Sequence, residues 1–297
     1  MNNVLRTLVF DEQVSCTVAD TTKIVREAIK LHHLTPVSAR ILGKALSAMT
    51  FMSACLKAEK GEISLSIITD GESGNIGVSG NQQLRLRGYI GNPFLLGVPS
   101  VETEKNALGQ GSLTMIRDDG YNRPFVGSCA LFSGGLDEAF EEYYRISEQL
   151  PTRFASEVEI DEKDECVFAG VAVLQPLPFA DEAALTATKE SDLQNVLKTL
   201  KASGVEGAVL KHFATKQTVW EKRNAEYKCN CSREYLKGVL VSLGEKEFRS
   251  IIKEDGAVRV HCHYCNSDYE FTEEDADALF GKEETVKKNE KKKRRYH

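Results

Sequence analysis

Four cysteines near the C-terminus constrain this chain more than any other feature: Cys229-Asn230-Cys231, 30 intervening residues, then Cys262-His263-Tyr264-Cys265. Two close thiol pairs flanking a small folded segment are what a tetrahedral thiolate zinc site requires. The first pair has one intervening residue where a structural ribbon normally has two. A disulfide closed across so short a span bends away from relaxed geometry and is readily reduced. The sequence therefore offers both a metal site and a redox switch. Zinc keeps its sulfurs deprotonated, and the thiolate is the form that both binds metal and attacks oxidants. Four thiolates around one divalent cation leave two negative charges, which Lys228, Arg233, Arg259, His261 and His263 stand close enough in sequence to offset. A small zinc module draws on the order of 10 kcal/mol of folding free energy from its metal, so loss of the ligands should unfold it. A purely structural zinc knuckle is the plainer alternative.

The rest of the chain sets the context for those thiols. Its 297 residues are enough for two domains, and 41% hydrophobic with 28% charged residues is ordinary for a soluble globular protein. The opening MNNVLRTLVFDEQV has no basic start, long apolar run or small-residue cleavage site, and no stretch is long enough to span a bilayer. The expected location is the cytoplasm, where paired thiols mean metal or redox chemistry rather than a disulfide scaffold. Cys16, Cys55, Cys129 and Cys166 are scattered and read as small buried apolar residues. Residues 227–281 hold seven basic against eleven acidic residues, which argues against a nucleic-acid-binding finger. Residues 282–297 hold eight Lys or Arg against three Glu, the composition of a solvated, disordered tail.

Residues 1–179 read as a mixed α and β domain. Helices are expected from Thr21 to His33, from Thr35-Pro36 to about Lys57, and from Leu136 to Gln149. Short alternating strands are expected around Ile63–Ile67, Ile76–Val78, Leu84–Leu86, Leu113–Met115, Phe125–Gly127 and Val167–Leu174. The stretches Gly71–Gly80 and Gly109-Gln110-Gly111 lack the order of a phosphate loop and read as turns. No catalytic constellation is visible in this domain. Residues 180–226 read as a helical linker: Ser191 and Gln194 form a capping box, Gly204 ends the helix, and a second amphipathic stretch runs from Val205 to about Trp220. So narrow an apolar stripe folds only when docked. After Cys231, Ser232 caps a helix that Gly244 stops, and a second helix carries Phe248, Ile251 and Ile252. Asp255-Gly256 then turns into a strand, Val258–His261, which pairs with Tyr269–Phe271 across the second cysteine pair. The overall fold class is α+β: a sandwich-like N-terminal core, a helical linker and a small C-terminal zinc-binding domain at 227–281.

Several segments closely resemble the redox-regulated holdase chaperones of the bacterial heat-shock protein 33 family. The resemblance rests on Cys229-Asn-Cys-Ser-Arg-Glu, Leu243-Gly-Glu-Lys-Glu, Asp255-Gly-Ala-Val-Arg-Val, His261-Cys-His-Tyr-Cys-Asn and Tyr269-Glu-Phe. It extends to Arg87-Gly-Tyr, Tyr143-Tyr with Ser147-Glu-Gln, and Leu174-Gln-Pro-Leu-Pro. It implies an ATP-independent stress-response chaperone, not an enzyme, inactive while reduced and holding zinc on Cys229, Cys231, Cys262 and Cys265. Oxidation would join Cys229 to Cys231 and Cys262 to Cys265, expel zinc, unfold the linker at 180–226 and yield an active homodimer. Its partners would be unfolding client proteins, with no membrane and no nucleic acid. Two other classes compete: a structural zinc-ribbon adaptor for nucleic acid or protein, which leans on the basic tail, and a thiol oxidoreductase. The second is weakened because Cys262 and Cys265 sit on a knuckle and not at a helix start after a strand.

Overall fold

The first twenty residues form a hairpin, β1 (Val4–Val9) and β2 (Val14–Asp20), that the alternation rule does not reveal. Every residue of β2 but the last is buried, because the strand is covered on both faces, and such strands do not alternate. The computed structural model describes residues 2–281 except 99, 132–134, 214 and 217, so the basic tail lies outside the described residues. Two helices follow, α1 (Thr22–His32) and α2 (Pro36–Ala54). Three strands come next, β3 (Glu62–Thr69), β4 (Ile76–Asn81) and β5 (Arg85–Ile90), then α3 (Val101–Leu108), β6 (Gly111–Asp118) and β7 (Phe125–Leu131). The core ends with α4 (Leu136–Ser147), β8 (Arg153–Ile160) and β9 (Cys166–Pro176). Beyond it lie α5 (Glu182–Glu190), α6 (Leu193–His212), β10 (Trp220–Arg223) and β11 (Glu226–Tyr227).

These strands make two sheets. One has the order β10-β1-β2-β9-β8, all antiparallel; the other runs β11-β5-β4-β3-β6-β7, antiparallel except where β11 lies parallel to β5. Helix α2 packs on both and is their shared core. Pro36 at its first position presets φ, as expected, and the helix is apolar nearly all round, as a fully enclosed helix must be. Its two cations, Arg40 and Lys44, both reach the buried carboxylate of Glu104 on α3, Lys44 at 2.7 Å. Gly109 turns as expected, at φ 64°, where a side chain would meet Asp70 Oδ1 at 2.4 Å; Gly77 and Gly80, read as part of a turn, lie instead in β4, and Gly111 begins β6.

The opposite face of the first sheet carries its own apolar cluster. Leu193, Val196, Leu197, Leu200 and Val209 of α6 lie buried over Leu5, Val18, Phe168 and Leu174. Burying side chains of this size contributes about 1.5–3 kcal/mol each, so the docking of α6, not helix propensity, holds it folded. Two expectations for this segment change. Asp192, not Ser191, caps α6, its carboxylate accepting from the Asn195 amide at 3.1 Å; Ser191 ends α5 and donates to the Ala187 carbonyl at 2.7 Å. Gly204 ends the first helical stretch as expected, leaving helical geometry at φ 71°, and a second stretch follows it within α6. The second amphipathic stretch stops at His212, and Trp220 begins β10, which completes the sheet beside β1 because an extended edge satisfies more backbone groups than a solvated helix end.

Internal contacts divide the chain into two compact units, Met1–Cys229 and Asn230–His297, a division that falls inside the first cysteine pair. The second unit contains α7 (Arg233–Val241), α8 (Glu245–Asp255), the hairpin β12 (Val258–Cys262) with β13 (Ser267–Phe271), and α9 (Glu273–Phe280). Ser232 caps α7 by accepting from the Tyr235 amide at 3.1 Å, as its position predicted. The left-handed Gly256 (φ 82°) closes α8 and feeds β12. The unit's fully buried core is small, centred on Phe248, Ile252 and Phe271. Buried Arg249 ties α8 to α9 through Glu245 (3.0 Å), Asp277 (3.2 Å), Glu273 and the Gly281 carbonyl (2.6 Å). Helix α9, closed by a capping box of Thr272 and Asp275, is an element that spacing alone did not suggest.

Candidate metal centre

Backbone geometry delivers each thiol. Strand β11 is held on β5 and ends two residues before Cys229: the Tyr227 hydroxyl donates to the Gly88 carbonyl (2.9 Å), accepts from the Gly88 amide (3.2 Å) and meets His32 Nε2 (3.1 Å). Cys262 ends β12, and a tight turn closed by the Asn266 amide on the Cys262 carbonyl (2.8 Å) brings Cys265 back beside it. Asn266 takes the left-handed φ of 55° that this turn needs. The Sγ atoms of Cys229, Cys231, Cys262 and Cys265 all lie within 4.8 Å of one another. Four sulfurs about 2.3 Å from a common centre lie roughly 3.8 Å apart, so this set could hold a single metal ion. The 3.2 Å approach of Cys231 Sγ to Cys265 Sγ crosses the two sequence pairs, as ligands of one ion do.

The other four cysteines behave as apolar fillers. Burial pushes the Cys16 thiol up to about 12 and those of Cys129 and Cys166 to about 11. Cys55, half-buried, is also raised by desolvation. Thiols this reluctant to ionise are poor nucleophiles at neutral pH.

The expected neutralisation of thiolate charge by nearby cations takes a different form. Arg233 binds Asp275 (2.6 Å), Arg259 binds Glu270 (3.0 Å), His261 Nδ1 meets Asp268 Oδ1 (2.8 Å) and Lys228 lies 3.9 Å from Glu226. The hairpin register explains two of these: Arg259 pairs with Glu270 and His261 with Asp268 on one face. Period-2 alternation puts Cys262, with its partner Ser267, on the other. His263 stacks edge-on against His261 at 5.0 Å.

That same alternation supplies two polar groups that thiol spacing did not point to. The Tyr269 hydroxyl lies 3.2 Å from Cys231 Sγ, and Ser267 Oγ lies 3.4 Å from Cys265 Sγ. The contact with the Cys231 sulfur is the first cause pushing the Tyr269 phenol above its usual range. The signal was present in the register, since residues 267, 269 and 271 share the face of Cys262.

Among the described residues, no helix is long and apolar enough to cross a membrane. The family model described as Hsp33 protein matches residues 2–272. The chain is 33% identical to a 33 kDa chaperonin of Alkaliphilus oremlandii over 296 residues, covering 97% of this chain and 98% of that protein. It is 32% identical to the 33 kDa chaperonin of Clostridium novyi over 292 residues, with 94% and 97% covered. The crystal structure of the 33 kDa chaperonin (heat shock protein 33 homolog) of Thermotoga maritima superposes with a TM-score of 0.81 at 28% identity, covering 94% of this chain and 97% of that one. The α+β fold, a C-terminal cysteine cluster that fits a metal-binding domain, and these matches define a chaperone. The chain belongs to the Hsp33 family.

Proposed function

We propose that this protein is a redox-regulated, ATP-independent holdase of the cytoplasm, silent while reduced and zinc-bound, and active as a homodimer after oxidation during stress. Bound zinc holds the thiols of Cys229, Cys231, Cys262 and Cys265 as thiolates and staples a unit whose own core is small. Oxidation of those thiolates withdraws every ligand, and the unit loses its staple. Once it melts, only thiols adjacent in sequence stay near each other, which favours the pairs Cys229 with Cys231 and Cys262 with Cys265.

The observation that carries the reading is the second apolar face of the first sheet. Segment 180–226, the linker of this scheme, leads through β10 and β11 directly to Cys229. Its helix α6 covers that face with a cluster separate from the core around α2. Its release exposes apolar surface without dissolving that core, and such a surface holds unfolding client proteins. Light scattering of a chemically denatured client, followed with reduced, peroxide-oxidised and re-reduced protein, tests this. Suppression by the oxidised form alone is expected, and equal behaviour of all three would overturn the reading.

A further inference from the structure

Resting on the holdase reading, we infer that strand β1, once β10 has left it, is a β-strand acceptor that holds clients as extended segments through their backbones. In the closed chain β10 fills this edge, pairing antiparallel from Val4 opposite Arg223 to Thr7 opposite Trp220. The Asn3 amide donates to the Arg223 carbonyl at 3.2 Å, and the Thr7 hydroxyl to the Val219 carbonyl at 2.5 Å. The strand is held lightly. It has four residues, of which Glu221 and Lys222 are exposed. Its anchor is the half-buried ring of Trp220, whose indole N–H is buried with no hydrogen-bond partner among the described residues, a group that water would satisfy on release. It belongs to the same segment as α6 and is tied to it by Lys222 Nζ, 2.6 Å from Glu206 Oε1. Release of the segment strips both from the first sheet.

Two features are then left side by side. Residues 4–7 carry a row of unpaired backbone groups, the template on which an edge strand recruits another chain. Leu5 and Val9 face the apolar cluster that α6 had covered, whereas Val4 faces the core around α2. A chain laid along β1 therefore sets every second side chain over the cluster of Leu5, Val18 and Leu174, against which the Trp220 ring packs in the closed chain. Backbone pairing supplies the affinity, and the alternate positions supply a loose preference for apolar residues. Every polypeptide has the same backbone, so the edge accepts clients of unrelated sequence. A folded client spends its amides in its own ladders and is refused. β1 runs to Val9 while β10 reaches only Thr7, so a longer client strand pairs more of the edge than β10 of this chain or of a second copy.

The test uses the full chain and a capped probe peptide, Lys-Thr-Val-Thr-Val-Thr-Val-Lys. Hydrogen exchange at the amides of residues 3–7 that face β10 should be slow in the reduced protein and fast after peroxide treatment. It should be slow again when the probe is added to the oxidised protein. Two N-methylated versions of the probe, one blocked at its valines and one at its threonines, separate pairing from stickiness, because only one of these sets faces β1. One version should bind at least about tenfold more weakly by fluorescence anisotropy and fail to restore protection, while the other should match the parent within about twofold. Equal binding of all three probes, or equal weakening of both blocked versions, would show an apolar patch without strand pairing and overturn the inference. So would protection that returns without probe as protein concentration rises, since a strand of a second copy would then fill the edge. If oxidised protein suppresses client aggregation while these amides stay protected, the inference falls and the holdase reading stands; if it does neither, both fall.

Discussion

Replacing Leu200 by Ala should convert the docking of α6 into a measurable equilibrium. Leu200 is 1% exposed and sits directly over Gly170 of β9, where an added Cβ would come within 2.7 Å of its Cδ2. Truncating a buried leucine costs about 2–5 kcal/mol, the spread reflecting how far the site collapses around the cavity. The floor of this site is β-sheet backbone, which collapses little, so a value of about 3 kcal/mol is expected, equivalent to a roughly 150-fold rise in the undocked fraction. The loss falls on the α6 cluster and leaves the cluster around α2 intact. Hydrogen exchange of the reduced protein should therefore speed at 193–212 and 220–223 by about that factor, while the amides of α2 and β3 stay protected. The variant should also suppress client aggregation without oxidant. Exchange that accelerates equally in α6, α2 and β3 would show that the helix is part of one cooperative core, and the idea of a releasable linker would be refuted.

Further outcomes follow from other sites. Cys229→Ser should weaken metal binding and lower the melting temperature of residues 230–281, read by circular dichroism with and without a chelator; an unchanged melt would refute the ligand assignment. Arg249→Leu should destabilise the C-terminal unit by about 3 kcal/mol in urea titration, because three carboxylates and the Gly281 carbonyl lose their buried partner. Asp137, which accepts from the Ser156 amide (2.9 Å) and hydroxyl (2.5 Å), is pushed up to about 6 by burial, partly offset by Lys44 and those hydrogen bonds. Its folded value lies above its unfolded one, near 3.8, so its contribution is fully present below pH 3.8 and is lost as pH rises through 6. Asp137→Asn should flatten the dependence of stability on pH between 4 and 6.5, measured by thermal melts; a slope equal to wild type would contradict it.

Much of this molecule was legible before its coordinates. The thiol quartet, the Ser232 cap, the Gly244 and Gly256 stops and the pairing of Val258–His261 with Tyr269–Phe271 all follow from local chemistry that the fold does not override. Strand β2 was not foreseen because residues enclosed on both faces lose the period-2 signature on which such reading depends. In 180–226 the outcome was decided by partners distant in sequence: β1 drew Trp220–Arg223 into a strand, where the local pattern showed only the end of an amphipathic stretch and a polar run. The four clustered thiols announced themselves by spacing, whereas Tyr269 and Ser267 reach the sulfurs only through the register of a hairpin. The charge balance around the thiols was missed for the same reason, since Arg259 and His261 face carboxylates across the strand.

The most direct test of the account counts metal and thiols in the same sample as peroxide is added at raised temperature. Reduced protein should carry one zinc ion per chain with four protected thiols, and zinc loss should track the disappearance of those four and the onset of client protection along one curve. Zinc retained while clients are protected, or zinc fully lost with no protection, would contradict the claim that this centre governs the chaperone.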